Sequence, residues 1–160
     1  MKLKEGDIFK LRVSDASIAV GQILTISRES LTVIVFEGLY DKDATPDVSK
    51  LVQGEILLLA NTFDAKFYHR HWVVFGNYPA NLDTIKLPIY KLGTDDELRY
   101  EDFFQQPISA SSLPVGQKGR VGYRNYVAPV RVEKAVRAFY KLTEWNDDYD
   151  KLLYQKLVKQ

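Results

Sequence analysis

The side chains with the most chemical potential are two histidines, a cluster of serines and a few neighbouring carboxylates. His69 and His71 are the only histidines. On a strand, residues i and i+2 share a face, so both imidazoles could meet one metal ion. A third ligand is then needed, and Asp64, the nearest carboxylate, stands at no recognised ligand spacing. Two surface histidines leading into Trp72 is the plainer reading. Ser109, Ser111 and Ser112 offer hydroxyl nucleophiles, but no G-x-S-x-G elbow surrounds them. The chain has no cysteine, which removes thiolate catalysis, disulfides and cysteine metal sites together. Glu101 and Asp102 are adjacent, and adjacent strand residues point to opposite faces, so they make no acid–base pair. The residues offer no catalytic constellation, no metal set and no cofactor motif. The expectation is a non-enzyme.

Binding chemistry is better represented. Net charge is +1, which argues against both a nucleic-acid sponge and a whole-surface nucleic-acid mimic. The distribution is uneven, however. Residues 95–102 hold five acids (Asp95, Asp96, Glu97, Glu101 and Asp102) against one base, Arg99. Tyr100, Phe103 and Phe104 sit in or beside that segment. Charges there would steer a basic partner, and an aromatic seated in a pocket would slow its release. Residues 118–141 hold seven bases (Lys118, Arg120, Arg124, Arg131, Lys134, Arg137 and Lys141) against Glu133 alone. The two segments could instead pair with each other inside the fold. Within the second, Gly116, Gly119 and Gly122 alternate with Lys118, Arg120, Tyr123, Arg124 and Tyr126. Close backbone approach, bases for phosphates and rings for stacking make this the candidate nucleic-acid or phosphate contact. It is neither a Walker loop nor a dinucleotide fingerprint.

The elements that must position these residues follow from periodicity. Phe9, Leu11 and Val13 alternate with Lys10 and Arg12, the period of a half-buried strand. Residues 18–26 give a second strand whose Gly21 predicts a bulge or a close backbone approach. Residues 31–36, β-branched and aromatic, predict a third. Residues 55–61 and 72–76 are further apolar runs, and residues 87–92 read as a short edge strand containing Pro88. Trp72 opens one of these runs and is expected in the core. After Pro129 the period changes: Val132, Ala135, Val136, Phe139 and Leu142 recur at helical steps, with Glu133 and Arg137 spaced for an i,i+4 pair. A second helix is expected after Asn146 as its N-cap, with Tyr149, Leu152, Leu153 and Leu157 facing inward. The fold expectation is therefore α+β. An antiparallel, SH3-like or barrel-like sheet precedes two C-terminal amphipathic helices. With 160 residues the chain reads as a single domain. Residues 1–93 would form the β-rich core, 94–128 a long connection containing Pro107 and Pro114, and 129–160 the helical part. The longest apolar run, residues 56–60, is far short of the ~20 residues of a membrane helix. No hydrophobic leader is visible at the start, so a cytoplasmic location is expected and no membrane partner.

Several segments resemble the immunity protein 26 family of bacterial polymorphic toxin systems. They are Gly6-Asp7-Ile8-Phe9-Lys10-Leu11, Val20-Gly21-Gln22-Ile23-Leu24, Trp72-Val73-Val74-Phe75-Gly76-Asn77-Tyr78-Pro79 and Leu87-Pro88-Ile89-Tyr90, spanning roughly residues 4–93. The resemblance implies a cytoplasmic, non-enzymatic protein that binds and neutralises a cognate protein toxin, with no catalytic residues. If that toxin is a nuclease, its groove is basic and residues 95–102 are the natural plug. The competing expectation is a nucleic-acid or small-ligand binding module on a small barrel, using Lys118, Arg120, Tyr123, Arg124 and Tyr126.

Overall fold

The computed structural model describes residues 2–113 and 115–159; Pro114 of the long connection lies outside the described residues. Strands β1 (Asp7–Arg12), β2 (Ser17–Ile26), β3 (Leu31–Phe36), β4 (Tyr40–Asp41), β5 (Ile56–Thr62) and β6 (Trp72–Asn77) form one antiparallel sheet. A second sheet holds β7 (Tyr90–Leu92), β8 (Arg99–Glu101) and β9 (Pro107–Ile108). The helices are α1 (Val48–Leu51), α2 (Ala65–Tyr68), α3 (Pro129–Phe139) and α4 (Tyr154–Val158). The architecture is α+β and mostly antiparallel sheet.

The large sheet runs β5-β3-β2-β1-β6, with β4 on the end of β2. The path has two ends, and among the described residues no ladder joins β5 to β6 to close it into a ring. β3 shows why the sheet is a middle layer. All six of its residues are buried. Leu31, Val33 and Val35 join one apolar cluster, while Ile34 and Phe36 join another on the opposite face. Gly21 in β2 lies where a Cβ would collide with the Phe9 ring and come within 2.7 Å of the Ile34 carbonyl oxygen. That is the close approach its position in the strand predicts.

α3 covers the first cluster. Pro129 stands in its first turn, where a fixed φ suits helix entry and the missing N–H is not needed. Val132, Ala135 and Val136 are fully buried against a group that includes Phe9, Leu11 and Trp72. Trp72 is itself fully buried, stacked on Phe9 at 5.0 Å and edge-on to Phe67 at 5.3 Å between ring centroids. The helix stops at Phe139, and Lys141 takes a left-handed φ of 63°. Leu142, expected on the inward stripe, therefore stays exposed.

Three expectations change. The short strand at residues 87–92 begins only at Tyr90, past Pro88, which cannot donate to a ladder. The connection at residues 94–128 carries two strands, β8 and β9, and a 3-10 turn at Ala110–Ser112. The second C-terminal helix is two short pieces, a 3-10 helix at Asp147–Leu152 and α4. Between them Leu153 is extended, with ψ 117°, and bridges to Leu58 of β5. The Asn146 side chain caps the first piece by accepting from the Asp148 N–H. The residues buried here are Leu152, Tyr154 and Val158; Tyr149, Leu153 and Leu157 are only partly covered.

Candidate partner-binding surface

The acidic segment forms a hairpin. β7 and β8 pair Tyr90 with Glu101, Lys91 with Tyr100 and Leu92 with Arg99. The turn between them starts at Gly93, whose φ of +85° and contact with the Glu97 carbonyl exclude a side chain. The Glu97 N–H returns to the Thr94 carbonyl at 2.9 Å. Asp95, Asp96 and Glu97 are thereby held together at the tip, all exposed. Among the described residues, none of these three makes an ion pair.

The rest of the segment faces inward, which corrects the expectation of one continuous contact surface. Tyr100, Glu101 and Phe103 are buried, and Phe103 packs with Leu24, Ile34 and Tyr90. Asp102 shapes the next turn: its Oδ1 accepts from the Phe104 N–H at 2.8 Å and the Gln106 N–H at 2.9 Å. Of Tyr100, Phe103 and Phe104, Phe104 alone is open to solvent, edge-on to Phe103. Neither Tyr100 nor Phe103 can be a partner anchor without unfolding its own core.

Arg124 explains Glu101. Its Nε and one terminal nitrogen both donate to Glu101 Oε1 at 3.2 Å, and that nitrogen also donates to the Asp102 and Phe103 carbonyls. The guanidinium lies 4.2 Å from the centre of the Tyr90 ring. So the acidic and basic segments do meet, through one nearly buried pair. Arg124 is consumed by this contact and is withdrawn from the nucleic-acid surface expected of it.

Lys118, Arg120, Tyr123 and Tyr126 are exposed. Tyr123 donates its hydroxyl to the Gly93 carbonyl at 2.9 Å, and Lys91 Nζ stands 4.6 Å above its ring. A cleft of about 470 Å³ opens beside it, where Lys91, Arg120 and Arg124 meet Lys151 and Lys156 of the C-terminal segment. Lys118 and Tyr126 do not line it. Lys91, Lys151 and Lys156 are scattered in sequence, and only the docking of the C-terminal segment brings them together.

His69 and His71 follow α2 in a turn rather than lying on a strand, with rings 6.3 Å apart and both exposed. Among the described residues no group of three potential metal ligands occurs. Among the described residues no helix is long and apolar enough to cross a membrane.

An open antiparallel sheet, covered on one face by a C-terminal helix and carrying an acidic hairpin on a second small sheet, is the frame in which these surfaces sit. Residues 4–102 match the family model for Immunity protein 26, and the chain belongs to that family. The match runs through β8, so it includes the acidic hairpin and ends before Phe103, Arg124, α3 and α4. Membership gives the chain an immunity role in general terms, with a toxin as the kind of partner that role implies. No curated protein and no solved structure matched the chain.

Proposed function

We propose that this chain is a non-enzymatic, cytoplasmic inhibitor that binds and neutralises a cognate polymorphic toxin, and that the toxin meets the β7–β8 hairpin tip. Family membership supports the role. The observation that carries the surface is the unpaired acidic tip formed by Asp95, Asp96 and Glu97, on a hairpin whose base is fixed by the buried Glu101–Arg124 pair. A rigid base and a charged tip suit an inhibitor, because steering charges act before contact and a preformed loop loses little entropy on binding. A basic groove, as in a nuclease, is the complementary surface. Phe104, half exposed beside the tip's own strand, is the aromatic available to seat in it.

The test is association with the cognate toxin at low and high salt. Asp95→Asn, Asp96→Asn and Glu97→Gln together should slow association by about tenfold or more at low salt, with little change in dissociation. Melting should stay at the wild-type temperature, because among the described residues none of the three carboxylates makes an ion pair. An unchanged association rate would remove the tip from the interface. A toxin that this chain neither binds nor neutralises would overturn the role itself.

A further inference from the structure

The basic cleft lies outside the surface proposed for the toxin and asks for a different ligand. We propose that it binds a free mononucleotide, with the phosphate at the rim formed by Lys91 and Arg120 and the base against Tyr123 and Leu157. The lining carries five cations and one acid, Asp150, in a chain of net charge +1. Three of the cations are already satisfied. Arg124 holds Glu101, Lys151 reaches Asp148, and Lys156 reaches Asp150. Lys91 and Arg120 have no carboxylate partner among the described residues, and Lys91 rests on a ring instead. A phosphate dianion between them supplies the missing acceptor oxygens.

The rest of the lining decides what the phosphate must be attached to. Leu59, Leu152 and Tyr90 lie beneath the cleft and are themselves buried, so the apolar surface it offers comes from the partly covered Leu157 and from Tyr123, half exposed at its mouth. A Cβ built on Gly122 would meet nothing within 4 Å, so the backbone there is open to a ligand. Inorganic phosphate would leave that apolar surface wet. An acidic peptide would satisfy the cations but bring no planar body to the rings. A volume of about 470 Å³ falls in the range of single small-molecule sites, whereas a nucleic-acid strand needs a groove that continues past each base.

The site joins Leu59, Tyr90 and Lys91 of the family-matched part to residues beyond it. It does not depend on the toxin reading. Calorimetric titration of the full chain with AMP and UMP, inorganic phosphate and a short single-stranded RNA tests it. Saturable one-site binding of AMP or UMP is expected at about 1 mM or tighter. Lys91→Gln with Arg120→Gln should weaken that binding by about tenfold or more while leaving the melting temperature of the free protein unchanged. Arg120→Gln alone, at an exposed position, gives a weaker loss with no risk to the fold. Absence of saturable AMP and UMP binding would overturn the proposal. So would inorganic phosphate binding as tightly as AMP, RNA binding where AMP does not, or undiminished affinity in the double variant.

Discussion

Glu133 shows how a single side chain joins two parts of the chain that its sequence context leaves separate. Its carboxylate accepts from the Trp72 indole N–H at 2.9 Å and pairs with Lys66 at 3.2 Å and Arg137 at 3.8 Å. The Arg137 contact is the i,i+4 spacing that helical periodicity predicts. The Trp72 contact spans 61 residues, and no local pattern announces it. Burial of Trp72 was legible from the apolar run it opens, but its polar partner was not. Because Glu133 is buried, truncation strands the indole N–H and removes the shared carboxylate of two partly exposed cations. Glu133→Ala should cost about 3 kcal/mol, while Glu133→Gln, which keeps an acceptor for Trp72, should cost about 1 kcal/mol. Urea unfolding midpoints check the order, and equal losses would show that the indole bond contributes little. Three tyrosines give a second prediction. Burial pushes the Tyr90, Tyr140 and Tyr154 phenols above their ordinary value of 10.0, despite hydrogen bonds that act the other way. The unfolded chain ionises them first, so their contribution is complete below that value and is lost as pH rises through the higher folded values. Urea midpoints should be unaffected by these phenols from neutral pH to about 10 and fall beyond it. Phe at all three positions should flatten that alkaline fall.

At the scale of elements, Arg124 is what makes a hairpin out of a charged segment. In sequence it stands among the glycines and bases of residues 116–126, which makes it a candidate phosphate contact. The structure turns it inward onto Glu101, two carbonyls and the Tyr90 ring. The acid run failed as a uniform surface for the same reason. Tyr100 and Glu101 are both buried within β8 and Phe103 is buried in the turn that follows it, so tertiary packing rather than strand alternation turns these residues inward, and one-dimensional charge counting does not see it. Arg124→Gln should loosen the β7–β8 hairpin and cost about 2–3 kcal/mol, because a nearly buried Glu101 loses its partner. Arg124→Lys should not rescue it, since an ammonium cannot reproduce the fork to one carboxylate and two carbonyls. Amide hydrogen exchange at Tyr90 and Leu92 reads this directly, since the Lys91 N–H between them donates to the Gly122 carbonyl instead, and wild-type protection in Arg124→Lys would sink it. Strands β1, β2, β3, β5 and β6 and helix α3 are legible because their apolar runs are long, whereas the two-residue β4 is not. The break at Leu153 was not: the residue continues a helical stripe, and its bridge to Leu58 overrides that preference.

At the scale of the whole molecule, the C-terminal third is a structural cover rather than an appendage. It lies outside the family match, yet it seals the β5 edge. The Val127 N–H donates to the Asn61 carbonyl at 2.9 Å, and the Thr62 hydroxyl donates to the Val127 carbonyl at 2.8 Å. Farther along, Leu153 bridges to Leu58, the Tyr154 hydroxyl reaches the Lys86 carbonyl at 2.6 Å, and Arg137 Nε reaches the Val13 carbonyl at 3.1 Å. Val127, Val132, Ala135, Val136 and Leu152 complete the cluster on one face of the sheet, and Tyr154 and Val158 contribute to the other. Each large apolar side chain fully buried is worth about 1.5–3 kcal/mol, so the set rivals the entire 5–15 kcal/mol margin of an ordinary domain. Removing residues 127–160 should therefore abolish cooperative unfolding and leave an aggregation-prone sheet, because β5 would present a free apolar edge. The deletion keeps every residue of the family match and the acidic tip. A soluble truncated chain with a sharp melt and undiminished toxin association would show that residues 4–102 carry both fold and function, and that the helices are dispensable. Loss of both is the expected result, and a Glu133→Ala full-length chain that still binds toxin at a temperature where it remains folded would separate lost structure from lost contact.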